Sequence, residues 1–270
     1  MFFLLLIVVG LFAGILAGML GVGGGLIFTP VLFFLFKGAG VAEPVLWTIA
    51  SSLFCTFVAS STSVYRQFRM RNLFIKEGFL VGFMGILGTI FGRQIITQPF
   101  YSEREFSLIF STLLIYTAYK FLKGTKNPTQ TNLSDDGQLT LNKTLLIGIL
   151  GGFIATIAGV GGGIVMVPLM TLLFALPFLK GVSISSTAIV IISFSAFFQL
   201  ALLSPTSLGI SAYSVGYIDF GTVFPLLLGT IIGANIGVLL TKKINRRVFE
   251  ITFSLMAIAV AIRMLWGVFF

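Results

Sequence analysis

The sequence predicts an all-α polytopic membrane protein made of two inverted-topology repeats, each a Gly-rich broken helical hairpin plus three transmembrane helices. Composition, an internal repeat and a swap of basic loops between the halves lead to this class. Hydrophobic residues make up 57% of the 270 and charged residues 9%, with a mean hydropathy of +1.09. That is too little polar surface to wrap a water-soluble fold. The apolar runs far exceed the roughly 10-residue alternating strands of a membrane barrel, so they read as helices.

The first run, residues 1 to 36, carries no charge. About 20 apolar residues cross a bilayer as one helix. This run is longer, and Gly18, Gly21, Gly23, Gly24 and Gly25 interrupt it ahead of Pro30. It must break, and backbone that breaks at membrane depth is tolerated only where protein or a water-filled cavity satisfies its freed N–H and C=O groups. The stretch recurs. Shifted by 138 positions, Gly10, Gly14, Ala17, Gly21, Val22, Gly23, Gly24, Gly25 and Pro30 fall on Gly148, Gly152, Ala155, Gly159, Val160, Gly161, Gly162, Gly163 and Pro168.

The remaining apolar segments follow at about 44–65, 78–98, 106–122, 144–176, 181–204, 221–241 and 248–270. Ala50-Ser51-Ser52 is answered by Ile184-Ser185-Ser186, and Leu87-Gly88-Thr89 by Leu228-Gly229-Thr230. The expected division is an N-terminal repeat over 1–123, a cytoplasmic linker over 124–143 containing Pro128, Asp135, Asp136 and Gly137, and a C-terminal repeat over 144–270. The N-terminus lacks a charged leader and cleavage site and reads as mature sequence.

Orientation follows from basic residues in short loops. Arg66, Arg69, Arg71 and Lys76 place the loop after the second segment in the cytoplasm, whereas its counterpart near Ser204 to Asp219 has no Lys or Arg. Lys242, Lys243, Arg246 and Arg247 mark another cytoplasmic loop, whose counterpart holds Arg104 between Glu103 and Glu105. The halves therefore face opposite ways. Inversion needs an odd number of crossings per half, so the two long glycine-bearing runs become hairpins with arms of about 16 to 18 residues, about 25 Å each. Such arms fall short of a full crossing.

Hairpins opening to opposite sides bring their turns together near the midplane, as in transporters built from inverted repeats. A helix starting at Gly24 or Gly162 offers unpaired N–H groups and the positive end of its dipole, and glycine lets a ligand reach the backbone. The expected site for a small anion is Gly23, Gly24, Gly25, Gly161, Gly162 and Gly163, with Ser51, Ser52, Ser185, Ser186 and Thr187 as further donors and Arg93 as a candidate cation. Simpler roles stand beside these. Gly10, Gly14 and Gly18 fit helix packing, the hydroxyls can bond the carbonyl one turn back, Arg93 can snorkel outward, and Gln199 can link helices.

Absences bear on chemistry. The chain has no His, and every Asp and Glu sits at a segment end or in a loop. No acid–base pair or buried metal set is available, so neither an enzyme nor a cofactor is expected. Cys55 lies in an apolar run as a small core residue. The net charge of +9 resides mostly at segment ends and is topological, not a nucleic-acid footprint. A carboxylate or histidine proton relay is missing as well.

The doubled Gly-x-Gly-Gly-Gly-x-x-x-x-Pro motif at Gly21 to Pro30 and Gly159 to Pro168, the serine pair after each, and Arg66-Gln67-Phe68-Arg69-Met70-Arg71-Asn72 resemble the TauE/SafE family of sulfite and organosulfonate exporters over essentially the whole chain. The polar stretch Ser204 to Asp219 departs from the commoner family arrangement. The resemblance implies a multi-pass transporter in the cell membrane that exports a small sulfur-containing anion such as sulfite or sulfoacetate. An inside-negative potential of 100 mV favours exit of each negative charge by about 2.3 kcal/mol. An anion channel and a non-transporting assembly subunit are alternative readings, and a homodimer is a compatible assembly.

Overall fold

The computed structural model describes residues 2–20, 23–69, 74–123, 140–174, 176–206, 209–240 and 246–269. Gly21, Val22, Arg71, Lys242, Lys243 and residues 124–139 of the expected linker lie outside the described residues. The helices are α1 Phe2–Leu20, α2 Gly25–Gly38, α3 Pro44–Arg69, α4 Ile75–Ile96, α5 Glu103–Lys123, α6 Leu141–Ala158, α7 Gly163–Pro168, α8 Phe178–Ala201, α9 Phe220–Leu240 and α10 Arg246–Phe269. α6 starts three residues before the expected repeat boundary at 144. A two-stranded ribbon, β1 Ser214–Val215 against β2 Ile218–Asp219, interrupts the polar stretch before α9. Among the described residues, five helices are long and apolar enough to cross a membrane: α3, α4, α6, most of α8, and α9.

Each glycine-bearing run breaks at its glycines, but the arms are unequal. The first arms hold 19 and 18 residues, about 27–29 Å each, close to the hydrocarbon thickness. The second arms are shorter, 14 residues in α2 and six in α7. Pro30 and Pro168 occupy the sixth position of α2 and α7. Proline removes an N–H and crowds the carbonyl four residues back. α2 continues past it regularly, whereas α7 widens into a π-helical turn, Leu169–Leu173. The expectation of two equal half-length arms is thus corrected: the glycines at which each run breaks lie past its midpoint, so the first arm is the longer one.

Packing exchanges the halves. Gly10, Gly14 and Gly18 of α1 meet the backbone of Leu226, Thr230 and Ala234 of α9 in turn, so the two helices run parallel. Gly148 and Gly152 of α6 likewise meet Val81 and Gly85 of α4. A Cβ on any of these five glycines would stand 2.0–2.5 Å from a backbone oxygen of the partner helix. Glycine here permits backbone-to-backbone approach, as small residues do in membrane helix pairs.

At the centre α3 and α8 cross in opposite directions. Gln67 Nε2 donates to Ser186 Oγ (3.3 Å) at one end, and the Phe54 and Phe197 rings lie 5.1 Å apart toward the other. The loops sort to two ends of the bundle. At one, Glu43 accepts hydrogen bonds from Thr206 Oγ1 (2.8 Å) and Tyr217 OH (2.7 Å), and Lys37 pairs with Glu103 (2.8 Å). At the other, the Phe74 N–H donates to Ser183 Oγ (3.0 Å) and Lys180 covers the Phe74 ring.

Candidate functional site

Gly23 and Gly24 of the first turn, and Gly159, Gly161 and Gly162 of the second, all have φ between 68° and 83°. An L side chain disfavours this left-handed backbone, which reverses the chain within two or three residues. Gly24 and Gly162 are the residues immediately before α2 and α7, and each carbonyl accepts the first bonds of the new helix.

The two turns touch. A Cβ on Gly25 would lie 2.5 Å from the Cα of Val160. Gly23 and Gly161 converge on the same two side chains, since a Cβ on either would lie 2.7 or 2.5 Å from Thr56 Cγ2 and 3.2 or 3.1 Å from Ile189 Cγ2. Thr56 is at the middle of α3 and Ile189 at the middle of α8. All of these residues are buried. Gly24 and Gly162 point elsewhere: a Cβ there would meet Ala13 O (3.0 Å) and Gly151 O (2.3 Å), each in the first arm of its own hairpin. Gly163 opens α7 and is buried. Five of the six glycines that look alike in sequence therefore divide into residues facing the junction, Gly23, Gly25 and Gly161, and residues closing a hairpin, Gly24 and Gly162.

The hydroxyls divide too. Ser52 Oγ and Thr29 Oγ1 lie 2.8 Å from each other and each 2.8 Å from the Gly159 carbonyl oxygen, so the two side chains clasp the second turn. Ser51 Oγ instead accepts the Asp219 N–H (3.3 Å), toward the ribbon. Ser186 donates to Val182 O and accepts from Gln67, and Thr187 donates to Ser183 O. Ser185 is fully buried. Arg93 is half-buried in the last turn of α4, where the neighbouring Gly92 packs against Phe153 and Thr156 of α6.

Two residues at the junction escape the sequence reading, Thr56 and Ser60. Both are buried and neither hydroxyl has a hydrogen-bond partner. Ser60 Oγ lies 3.1 Å from where a Cβ on Gly23 would stand. The signal that could find them is spacing: Ser52, Thr56 and Ser60 recur every four residues and share a helix face.

The end of the bundle near Glu43 is polar and well bonded. Asp219, fully buried, accepts from Ser211 N and Oγ (2.8 Å each) and from Thr222 N (3.1 Å), capping α9. Burial, and then the Glu43 carboxylate beside it, push the Tyr217 hydroxyl's pKa above the usual tyrosine range. Two apolar grooves, about 480 Å³ beside Phe3, Tyr213 and Phe224 and about 330 Å³ beside Tyr65, Phe79 and Thr187, do not reach the glycine turns.

The sulfite exporter TauE/SafE family profile matches residues 6–264. A probable membrane transporter protein of Haemophilus influenzae is 29% identical, covering 97% of this chain and 98% of its own length. One from Methanocaldococcus jannaschii is 26% identical over 93% and 90%, and Bacillus subtilis YunE, also named a probable membrane transporter protein, is 24% identical over the full length of both. No solved structure matches the chain. With apolar helices long enough to span a bilayer and this match over nearly its whole length, the chain belongs to the sulfite exporter TauE/SafE family of multi-pass membrane transporters.

Proposed function

We propose that the protein exports a small sulfur-containing anion, sulfite or an organosulfonate such as sulfoacetate, by alternating access between two inverted repeats, with the anion bound where the two glycine turns meet. The observation that carries this reading is the contact of the turns across Thr56, at mid-height of the bundle. Two broken helices abut there, in an arrangement that transporters use for substrate. Inversion is supported by the antiparallel crossing of the equivalent helices α3 and α8. The described residues of both turns are buried, which fits an occluded state.

Within this reading Gly23, Gly25 and Gly161 approach the substrate. Gly24 and Gly162 have a competing structural role, because their missing side chains face the first arm of their own hairpins. Efflux from proteoliposomes tested over sulfite, sulfate, thiosulfate, sulfoacetate and chloride decides the function. Saturable efflux of a sulfur oxyanion with little chloride movement is expected. Rates that rise linearly without saturation would favour a channel, and no movement of any ion would favour an assembly subunit.

A further inference from the structure

Among the described residues, every buried side-chain nitrogen or oxygen without a hydrogen-bond partner belongs to one helix: Trp47 Nε1, Thr48 Oγ1, Thr56 Oγ1, Ser60 Oγ and Arg66 Nε, all on α3. Unpaired buried polar atoms are rare and costly in native proteins. For a hydroxyl inside a helix they are also avoidable, because the carbonyl four residues back is always within reach. Elsewhere the chain takes that option: Ser63, Thr117, Thr156, Thr187 and Ser193 each donate to the carbonyl four residues earlier. Thr56 and Ser60 do not.

We propose that Thr56 and Ser60 are the side-chain ligands of the transported anion, their hydroxyls donating to its oxygens once the glycine turns part. This deepens the transport reading above and rests on it. Thr48, Ser52, Thr56 and Ser60 follow one another at four-residue spacing, one face of a helix, and Arg66 lies six residues beyond Ser60, about 9 Å further along the axis, toward the end where Phe74 meets Ser183. The sign of the ligand follows from Arg66. The one ion pair among the described residues is Lys37–Glu103, which leaves this guanidinium no carboxylate partner among them. A positive charge at the end of a row of free O–H donors favours an oxyanion over a cation. The equivalent positions on α8, reached by the 134-residue offset that pairs Ser52 with Ser186, are Val190 and Phe194, so the hydroxyl pair is confined to one half.

The test uses the full chain in proteoliposomes and detergent, with sulfite and sulfoacetate as probes. Thr56→Val replaces the hydroxyl with a methyl of like shape, and Ser60→Ala deletes the other. Each should weaken apparent affinity roughly ten- to a hundred-fold. Neither should lower the melting temperature, because no internal hydrogen bond is lost. Thr56→Ser, which keeps the hydroxyl, should retain most of the parent's affinity. Parent-like affinity in both Thr56→Val and Ser60→Ala overturns the assignment and leaves oxyanion transport standing. So does a loss of affinity that tracks a fall in melting temperature. A parent that moves neither probe, nor any other sulfur oxyanion, overturns both.

Discussion

Ser52 Oγ stands 2.8 Å from the carbonyl oxygen of Gly159, a residue 107 positions further on, and Thr29 Oγ1 reaches the same oxygen at the same distance. The first half thereby supplies both donors for the second half's turn. Ser52→Ala removes the contacts to the Gly159 carbonyl and to Thr29 Oγ1 but leaves Thr29 donating to that carbonyl, and the expected destabilisation is about 0.5–1.5 kcal/mol. The double variant Thr29→Val/Ser52→Ala strands a buried carbonyl and should cost about 1–3 kcal/mol more. Thermal unfolding of the purified protein measures both, and an unshifted midpoint in the double variant would show that the clasp contributes nothing.

Glycine substitutions should sort by what a methyl would meet. A Cβ on Gly229 would stand 1.9 Å from Ile7 O, whereas one on Gly267 meets nothing within 4 Å. Gly229→Ala should cost about 1–3 kcal/mol or more by forcing α1 and α9 apart. Gly267→Ala should stabilise α10 by about 0.5–1 kcal/mol. Yield and melting temperature of the two variants give the comparison.

Much of this division is hidden in the sequence. The doubled motif announces two hairpins, and Gly10, Gly14 and Gly18 announce a packing seam, because spacing alone puts them on one helix face. Nothing in a run of three glycines tells which one faces the partner turn. Gly23 and Gly24 share a left-handed backbone, yet their Cβ directions differ by a residue's rotation, and that is fixed only when the hairpins pack. For Thr56 and Ser60 the four-residue spacing marks a shared face but not a role. A hydroxyl in a helix reads the same whether it bonds its own backbone or waits for a ligand, and only the folded arrangement of partners separates Thr56 from Thr187. The short α7 has no mark of its own either, because the same proline position is tolerated in α2.

Labelling should recover the sidedness expected from basic loops. Native Cys55 is fully buried and gives no background. Arg69→Cys should react with an impermeant maleimide only from the cytoplasmic side, and Tyr213→Cys, at a position 79% exposed, only from outside. Reaction of both from one side would remove the inverted arrangement.

The Tyr217–Glu43 bond predicts an alkaline signature. With its pKa raised in the folded state, Tyr217 contributes stability that is present in full below the unfolded tyrosine value of about 10 and is lost as pH climbs through the folded value. Tyr217→Phe should cost about 1.5–3 kcal/mol at pH 7, since the donor serves a carboxylate. That deficit should shrink above about pH 10. Melting curves of parent and variant at pH 7 and about pH 10.5 test the trend, and a deficit that grows with pH would refute it.

Coupling can be tested without knowing the ion. The buried carboxylate of Asp219 is held by three donors at the start of α9, and Glu43 lies before α3. Neither lies within the middle of a spanning helix, so export should follow the membrane potential and persist when the pH gradient is collapsed at constant potential, after correction for the substrate's own protonation. Efflux that stops with the pH gradient would require a proton path these helices do not supply.

The glycine seams carry a consequence for what can move. α1 is locked by backbone contact to α9, and α6 to α4, so each hairpin's long arm is grafted onto the opposite half of the gene product. The close-packed seams therefore do not follow the boundary between residues 1–123 and 144–270 but join helices from both duplicates. Under the inverted arrangement proposed above, a single copy would build the same seams only by pairing with a second, oppositely inserted molecule. Two fragments split in the linker and expressed together should reassemble an active protein, whereas either fragment alone leaves a row of glycines facing lipid.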